Sequence, residues 1–140
     1  VAAEVEQDRR ERRLRHVSIS IDVEVRRPSV TDADRIRELL LSLVAAACDA
    51  ATAPAPASDG PPLHEVVITA VESSRGVEIE VADSGPGPAR VSVDVLAAAR
   101  SRAERLGGKL MIAACPDGGT AVTLCLPSTR EHAQAIRPAA

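Results

Sequence analysis

The sequence predicts an α/β protein: a two-layer α/β sandwich in which helices cover one face of a mixed, mostly antiparallel sheet. Three observations carry that prediction. Val17 to Val25 alternates, with Val17, Ile19, Ile21, Val23 and Val25 on one side and Ser18, Ser20, Asp22 and Glu24 on the other, the period of a strand with one wet face. Ile36, Leu39, Leu40, Leu43, Val44 and Ala47 recur at i, i+3, i+4, i+7 spacing, the stripe of a helix lying on a sheet. Val77 to Gly87, reading VEIEVADSGPG, is an alternating strand that ends in a carboxylate and a Gly-Pro-Gly turn. The whole order is helix, strand, helix, two strands, helix, two strands, and every strand has an apolar side for helices to cover.

Composition bounds the function. One hundred and forty residues suit a single domain with a real core. There is no Phe, Tyr or Trp, so Val, Leu, Ile and Ala must build that core, and the stacking platforms of single-strand nucleic-acid binders are missing. A net charge of −3 argues the same way against duplex binding. No apolar run is long enough to span a bilayer and no signal peptide opens the chain, so a cytoplasmic segment that does not insert into a membrane is expected. The first residue is Val rather than Met, which suggests a segment of something longer. Cys48, Cys115 and Cys125 are odd in number and widely spaced, the pattern of buried reduced thiols rather than of a metal or disulfide framework.

The elements follow in order. Residues 1–15 are polar and helix-prone, the end of an upstream helix. Arg9, Arg10, Arg12, Arg13 and Arg15 interleave there with Glu4, Glu6, Asp8 and Glu11, as on a solvated face. His16 lacks the acidic, proline-containing surroundings of a kinase phosphoacceptor and is a surface or strand-start histidine. After the strand and Pro28, Thr31 and Asp34 have capping-box spacing and open a helix that runs to about Ala51. Thr52 to Pro62, TAPAPASDGPP, is a proline-rich surface linker. His64 to Ser73 and Gly76 to Asp83 form a hairpin at Ser-Ser-Arg-Gly. Ser92 or a neighbour caps a second helix that runs to Leu106, burying Val95, Leu96, Ala99 and Ala103 and stopping at Gly107-Gly108. Lys109 to Cys115 and Ala121 to Leu126 are the last strands, separated by Pro-Asp-Gly-Gly and ended by Pro127. The domain thus spans 16–127, with a polar tail over 128–140.

Asp83 is the residue whose position asks for chemistry. The two-residue period of Val77, Ile79 and Val81 carries it onto the apolar face, where a carboxylate is costly unless backbone donors or a ligand bond to it. Gly85 and Gly87 permit positive φ and let a ligand approach the backbone. An Asp-capped turn at a strand end explains the same residues without any ligand.

Four stretches taken together resemble one family: TDADRIRELLLSLVAAACDAA at Thr31 to Ala51, VEIEVADSGPG at Val77 to Gly87, RAERLGGKL at Arg102 to Leu110 and PDGGTAVTLCLP at Pro116 to Pro127. In this order they are similar to the ATP-binding catalytic domain of two-component sensor histidine kinases, the Bergerat or GHKL fold shared with gyrase, heat-shock protein 90 and MutL. The resemblance covers nearly the whole chain. It implies that Asp83 accepts a hydrogen bond from the adenine amino group, that Gly85 and Gly87 pass under the base, and that Thr120 supports that end of the pocket.

The phosphate half departs from the family pattern. Where the family carries a magnesium-holding asparagine this chain has Ala46, and a methyl group cannot coordinate a hard cation. Ser42 stands one turn earlier, in place of a second polar or acidic residue. Asp49 stands where a basic side chain commonly meets phosphate, which reverses a charge beside an anion. Only Pro88-Ala89-Arg90-Val91 replaces the mobile lid and its glycine-rich phosphate turn, and Asp94 already complements the dipole of the following helix.

The resemblance therefore implies a degenerate domain with no catalytic or metal residues of its own. Such a domain is a docking module in phosphosignalling, similar to histidine phosphotransferases whose kinase-like domain has decayed. Its expected partners are an upstream helical dimerisation and phosphotransfer domain and a response-regulator receiver domain, and its expected cofactor is none. The alternatives are a working but atypical kinase domain with weak ATP and magnesium binding, and an unrelated α/β interaction domain.

Overall fold

The computed structural model describes residues 17–24, 33–53 and 64–128. The helix expected over 1–15, His16, Thr31, most of the proline-rich linker and the tail after residue 128 lie outside the described residues. The elements in chain order are β1 (Ser18–Glu24), α1 (Ala33–Thr52), β2 (Glu65–Ser73), β3 (Gly76–Asp83), a 3-10 turn (Pro88–Arg90), α2 (Val93–Arg105), β4 (Lys109–Ala114) and β5 (Thr120–Pro127). Among the described residues they form one five-stranded sheet in the order β1-β2-β3-β5-β4. β1 runs parallel to β2, and the other pairings are antiparallel. From β1 onward the element order, and the mixed, mostly antiparallel sheet, are those expected from the sequence.

Register explains which face is dry. Ile68 stands opposite Val81, Ile79 opposite Leu124, and Leu110 opposite Leu124 on its other side. These rows meet Leu39, Leu43, Val44 and Ala47 of α1 and Ala99 and Ala103 of α2 in one core. Leu39, Leu124, Val66 and Val81 are its largest fully buried aliphatic side chains together with Val17, so shape complementarity among branched residues does what aromatic rings do elsewhere. α2 ends in a Schellman turn: Gly108 donates to the Ala103 carbonyl and Gly107, at φ 72°, donates to Glu104, each at 2.9 Å.

Some local expectations need correction. Of the thiols expected to be buried, Cys48 is, but Cys115 and Cys125 are partly exposed. Ile21 and Val23 are 44% and 58% exposed instead of buried, because β1 is an edge strand and α1 lies over β2 and β3 rather than over the end of β1. Val95 is 47% exposed; it faces a cavity beside α1 and not the core. Ser92 occupies the N-cap position of α2, but its hydroxyl makes no capping hydrogen bond. The helix instead takes its first-turn anion from Asp94. α1 also continues through Thr52, whose hydroxyl turns back to the carbonyls of Cys48 and Asp49 at 3.1 and 3.0 Å.

Candidate functional site

The end of β3 carries Asp83 onto the covered face, where it is 8% exposed. Its Oδ1 accepts hydrogen bonds from the amides of Gly85 at 2.8 Å and Thr120 at 3.4 Å. Burial pushes its pKa above the usual carboxylate value, and those two amide bonds oppose the shift. The turn is pinned from the other side by Ser84, whose Oγ accepts from the Glu65 amide at 2.9 Å and whose own amide donates to the Glu65 carbonyl at 3.0 Å.

The glycines differ in purpose. Gly87 does have a positive φ, 106°, as the sequence suggested. Gly85 does not need one; it needs space, because a Cβ there would stand 2.5 Å from the Ala50 carbonyl oxygen and 2.9 Å from Asp83 Oδ1. Gly119, at φ 100°, packs so closely on the Asp83 carbonyl that a side chain would overlap it. That contact places Thr120 beside Asp83. Thr120 is 1% exposed, and its Oγ1 has no hydrogen-bond partner, a costly state for a buried hydroxyl.

A cavity of about 300 Å3 opens between α1 and the segment after the turn. Ala46, Asp49 and Ala50 line it from α1 and Ala53 from just past its end, and Gly87, Arg90, Val91 and Val95 line it from the facing segment. The residues singled out in the sequence are thus divided in two. Asp83, Gly85 and Thr120 form a hydrogen-bonded cluster, whereas Ala46, Asp49 and Gly87 line the cavity. Ser42 belongs to neither, since its Oγ accepts a hydrogen bond from Arg102 Nη1 at 3.1 Å and ties α1 to α2. Sequence reasoning passed over Ala50, Ala53, Arg90 and Val95. The first two follow Ala46 at i+4 and i+7, a signal that the helical period held.

A nucleotide with magnesium, the group implied by the fold, can be tested against these residues. The Asp83 carboxyl and the Thr120 hydroxyl have acceptor chemistry that matches the amino edge of a base, but both are buried and neither lines the cavity. The other end does not suit a metal-bound triphosphate. Ala46 supplies no ligand, Asp49 and Arg90 cancel in charge, and among the described residues no group of three or more His, Cys, Asp or Glu converges to hold a metal ion. The residues present do not fit the whole group.

No protein-family model matches the chain, and no curated protein matches it. Solved structures do. The chain is similar to the catalytic domain of histidine kinase ThkA at 20% identity and a TM-score of 0.69, with 90% of each chain covered. The ATP-binding domain of PrrB from Mycobacterium tuberculosis matches at 24% identity and a TM-score of 0.63, with 89% of each chain covered. The Acinetobacter baumannii histidine kinase AdeS matches at 15% identity and a TM-score of 0.68 over 91% of this chain, which spans 63% of the AdeS chain. The fold is therefore that of the ATP-binding catalytic domain of sensor histidine kinases. Among the described residues, no helix is long and apolar enough to cross a membrane.

Proposed function

We propose that this chain is a histidine-kinase-like ATPase-fold domain of a two-component phosphosignalling protein, one that has lost productive ATP binding and works as a docking module. The observation that carries this reading is the cavity wall: among the described residues it is small and mostly aliphatic, with Asp49 and Arg90 as its ionisable groups, where a triphosphate needs metal ligands and excess positive charge. The short 3-10 turn between Gly87 and α2 supports it, because it leaves no room for a lid. The partners are the protein's own upstream helical dimerisation segment and a receiver domain, and the setting is the cytoplasm.

Calorimetric titration of the chain with ATP and magnesium tests the loss of binding. Weak or undetectable heat is expected, and a dissociation constant in the low micromolar range, about 8 kcal/mol of binding, would overturn it. The second reading, an atypical but working ATP-binding domain, draws on the unpartnered Thr120 hydroxyl beside Asp83, and that result would favour it.

A further inference from the structure

The outer edge of β1 is unguarded. On one side Ser18–Glu24 pairs with β2, and among the described strands none pairs with it on the other. The opposite edge of the sheet, β4, begins with an exposed lysine, Lys109, a residue type that discourages edge-to-edge pairing. β1 reads SISIDVE, with neither Lys nor Pro. Its helix-side row is also uncovered, with Ile21 44% and Val23 58% exposed. Such an edge is a template for another strand.

Backbone direction and sequence decide which strand fits. The Ser18 amide donates toward β2, to the His64 carbonyl at 2.9 Å. By the two-residue period, Ser20 and Asp22 turn their backbone groups the same way, and Ile19, Ile21 and Val23 turn theirs outward. A two-fold axis at Ile21 lays a second β1 antiparallel to the first and overlaps the whole of Ser18–Glu24. Ile21 then meets Ile21 and Ile19 meets Val23, and these pairs exchange about six hydrogen bonds through their outward N–H and C=O groups. On the other face Ser20 meets Asp22, a hydroxyl against a carboxylate. Moving the axis to Asp22 sets two carboxylates against each other, and moving it to Ser20 shortens the overlap.

We propose that two copies of this chain join β1 to β1 about a two-fold axis at Ile21, continuing one sheet across both copies. The contact is isologous, so it closes at two. It goes beyond the docking reading and does not depend on it, since no residue of the cavity or of the Asp83 turn takes part. Seven residues of edge bury less than a standard interface, so a weak dimer with a dissociation constant of about 10–100 μM is expected.

Sedimentation equilibrium of the chain from about 1 to about 500 μM tests it, with amide chemical shifts read over the same range. A reversible monomer–dimer equilibrium is expected, with concentration-dependent shifts centred on Ser18–Glu24. Ile21→Lys sets two ammonium groups at the axis and should weaken the dimer at least about tenfold, while the melting temperature stays within about two degrees. Val23→Lys, at the more exposed position, takes its place if Ile21→Lys fails to fold. Ser20→Lys puts a cation opposite the partner's Asp22 twice per dimer and should tighten it about threefold to tenfold. Adding Asp22→Ala should remove that gain. A chain that stays monomeric at about 500 μM overturns the inference. A dimer that persists in both single lysine variants at the Ile21 and Val23 positions, a dimer that Ser20→Lys fails to tighten, or assembly beyond two copies overturns it as well.

Discussion

Asp83 shows how a single side chain sets both local structure and electrostatics. Its carboxylate holds the turn by accepting from Gly85 and Thr120, yet burial raises its pKa. An acid whose folded pKa lies above its unfolded value opposes folding at neutral pH, and the opposition fades as the pH falls through the folded pKa toward 3.8. Asp83→Asn keeps an acceptor without the charge. Thermal melts across pH should find it more stable than the parent at pH 7, with the two curves converging toward pH 3.8; a gap that widens on acidification would contradict this assignment. Gly85→Ala tests the packing of the same turn. Its Cβ would press on the Ala50 carbonyl at 2.5 Å, so denaturant melts should record a loss of about 1–3 kcal/mol, whereas a neutral effect would mean the turn is free to lift off α1.

At the scale of elements, α1 carries two jobs on two faces. Ile36, Leu39, Leu40, Leu43 and Val44 cover the sheet, while Ala46, Asp49 and Ala50 line the cavity. If the domain has lost ATP binding as proposed, restoring one polar side chain to the second face is not enough to bring it back. Ala46→Asn should leave autophosphorylation of a matched histidine domain at background, below about a hundredth of an active kinase domain, as judged by radiolabel transfer from ATP. Measurable transfer would show that the short Pro88–Arg90 turn is no obstacle. This helix also marks how far sequence reaches. Its stripe, the strand alternations and the Gly-Pro-Gly turn were legible because periodicity and glycine chemistry are local. The exposure of Ile21 and Val23 was not, because it depends on where a neighbouring helix stops in space. Nor was the separation of the Asp83 cluster from the cavity, since Gly85 and Ala50 meet across 35 residues of chain, and the Ser42–Arg102 bond spans 60.

At the scale of the whole molecule, function is expected at surfaces rather than through nucleotide chemistry. The arginines of residues 9–15 lie outside the described residues, and in sequence they shortly precede the edge strand β1. In the full-length protein, Arg12→Glu with Arg13→Glu should weaken phosphotransfer or receiver docking by about tenfold while the melting temperature of this chain stays within a degree or two. Asp83→Asn should leave docking unchanged. If signalling instead depends on Asp83 and ATP and ignores the arginines, the docking reading falls.

The position of β5 bears on how such a chain is made. β4 pairs only with β5 among the described strands, and β5 also pairs with β3, so the last of the described strands is the one that seats its predecessor. On the ribosome, β1 to β3 and α1 can associate early, but Lys109–Ala114 and the apolar side of α2 have no sheet to close on until Pro127 has cleared the exit. Until β5 emerges, Leu110, Ile112 and Ala103 lack their full cover, and that interval is one of exposure to chaperones and proteases.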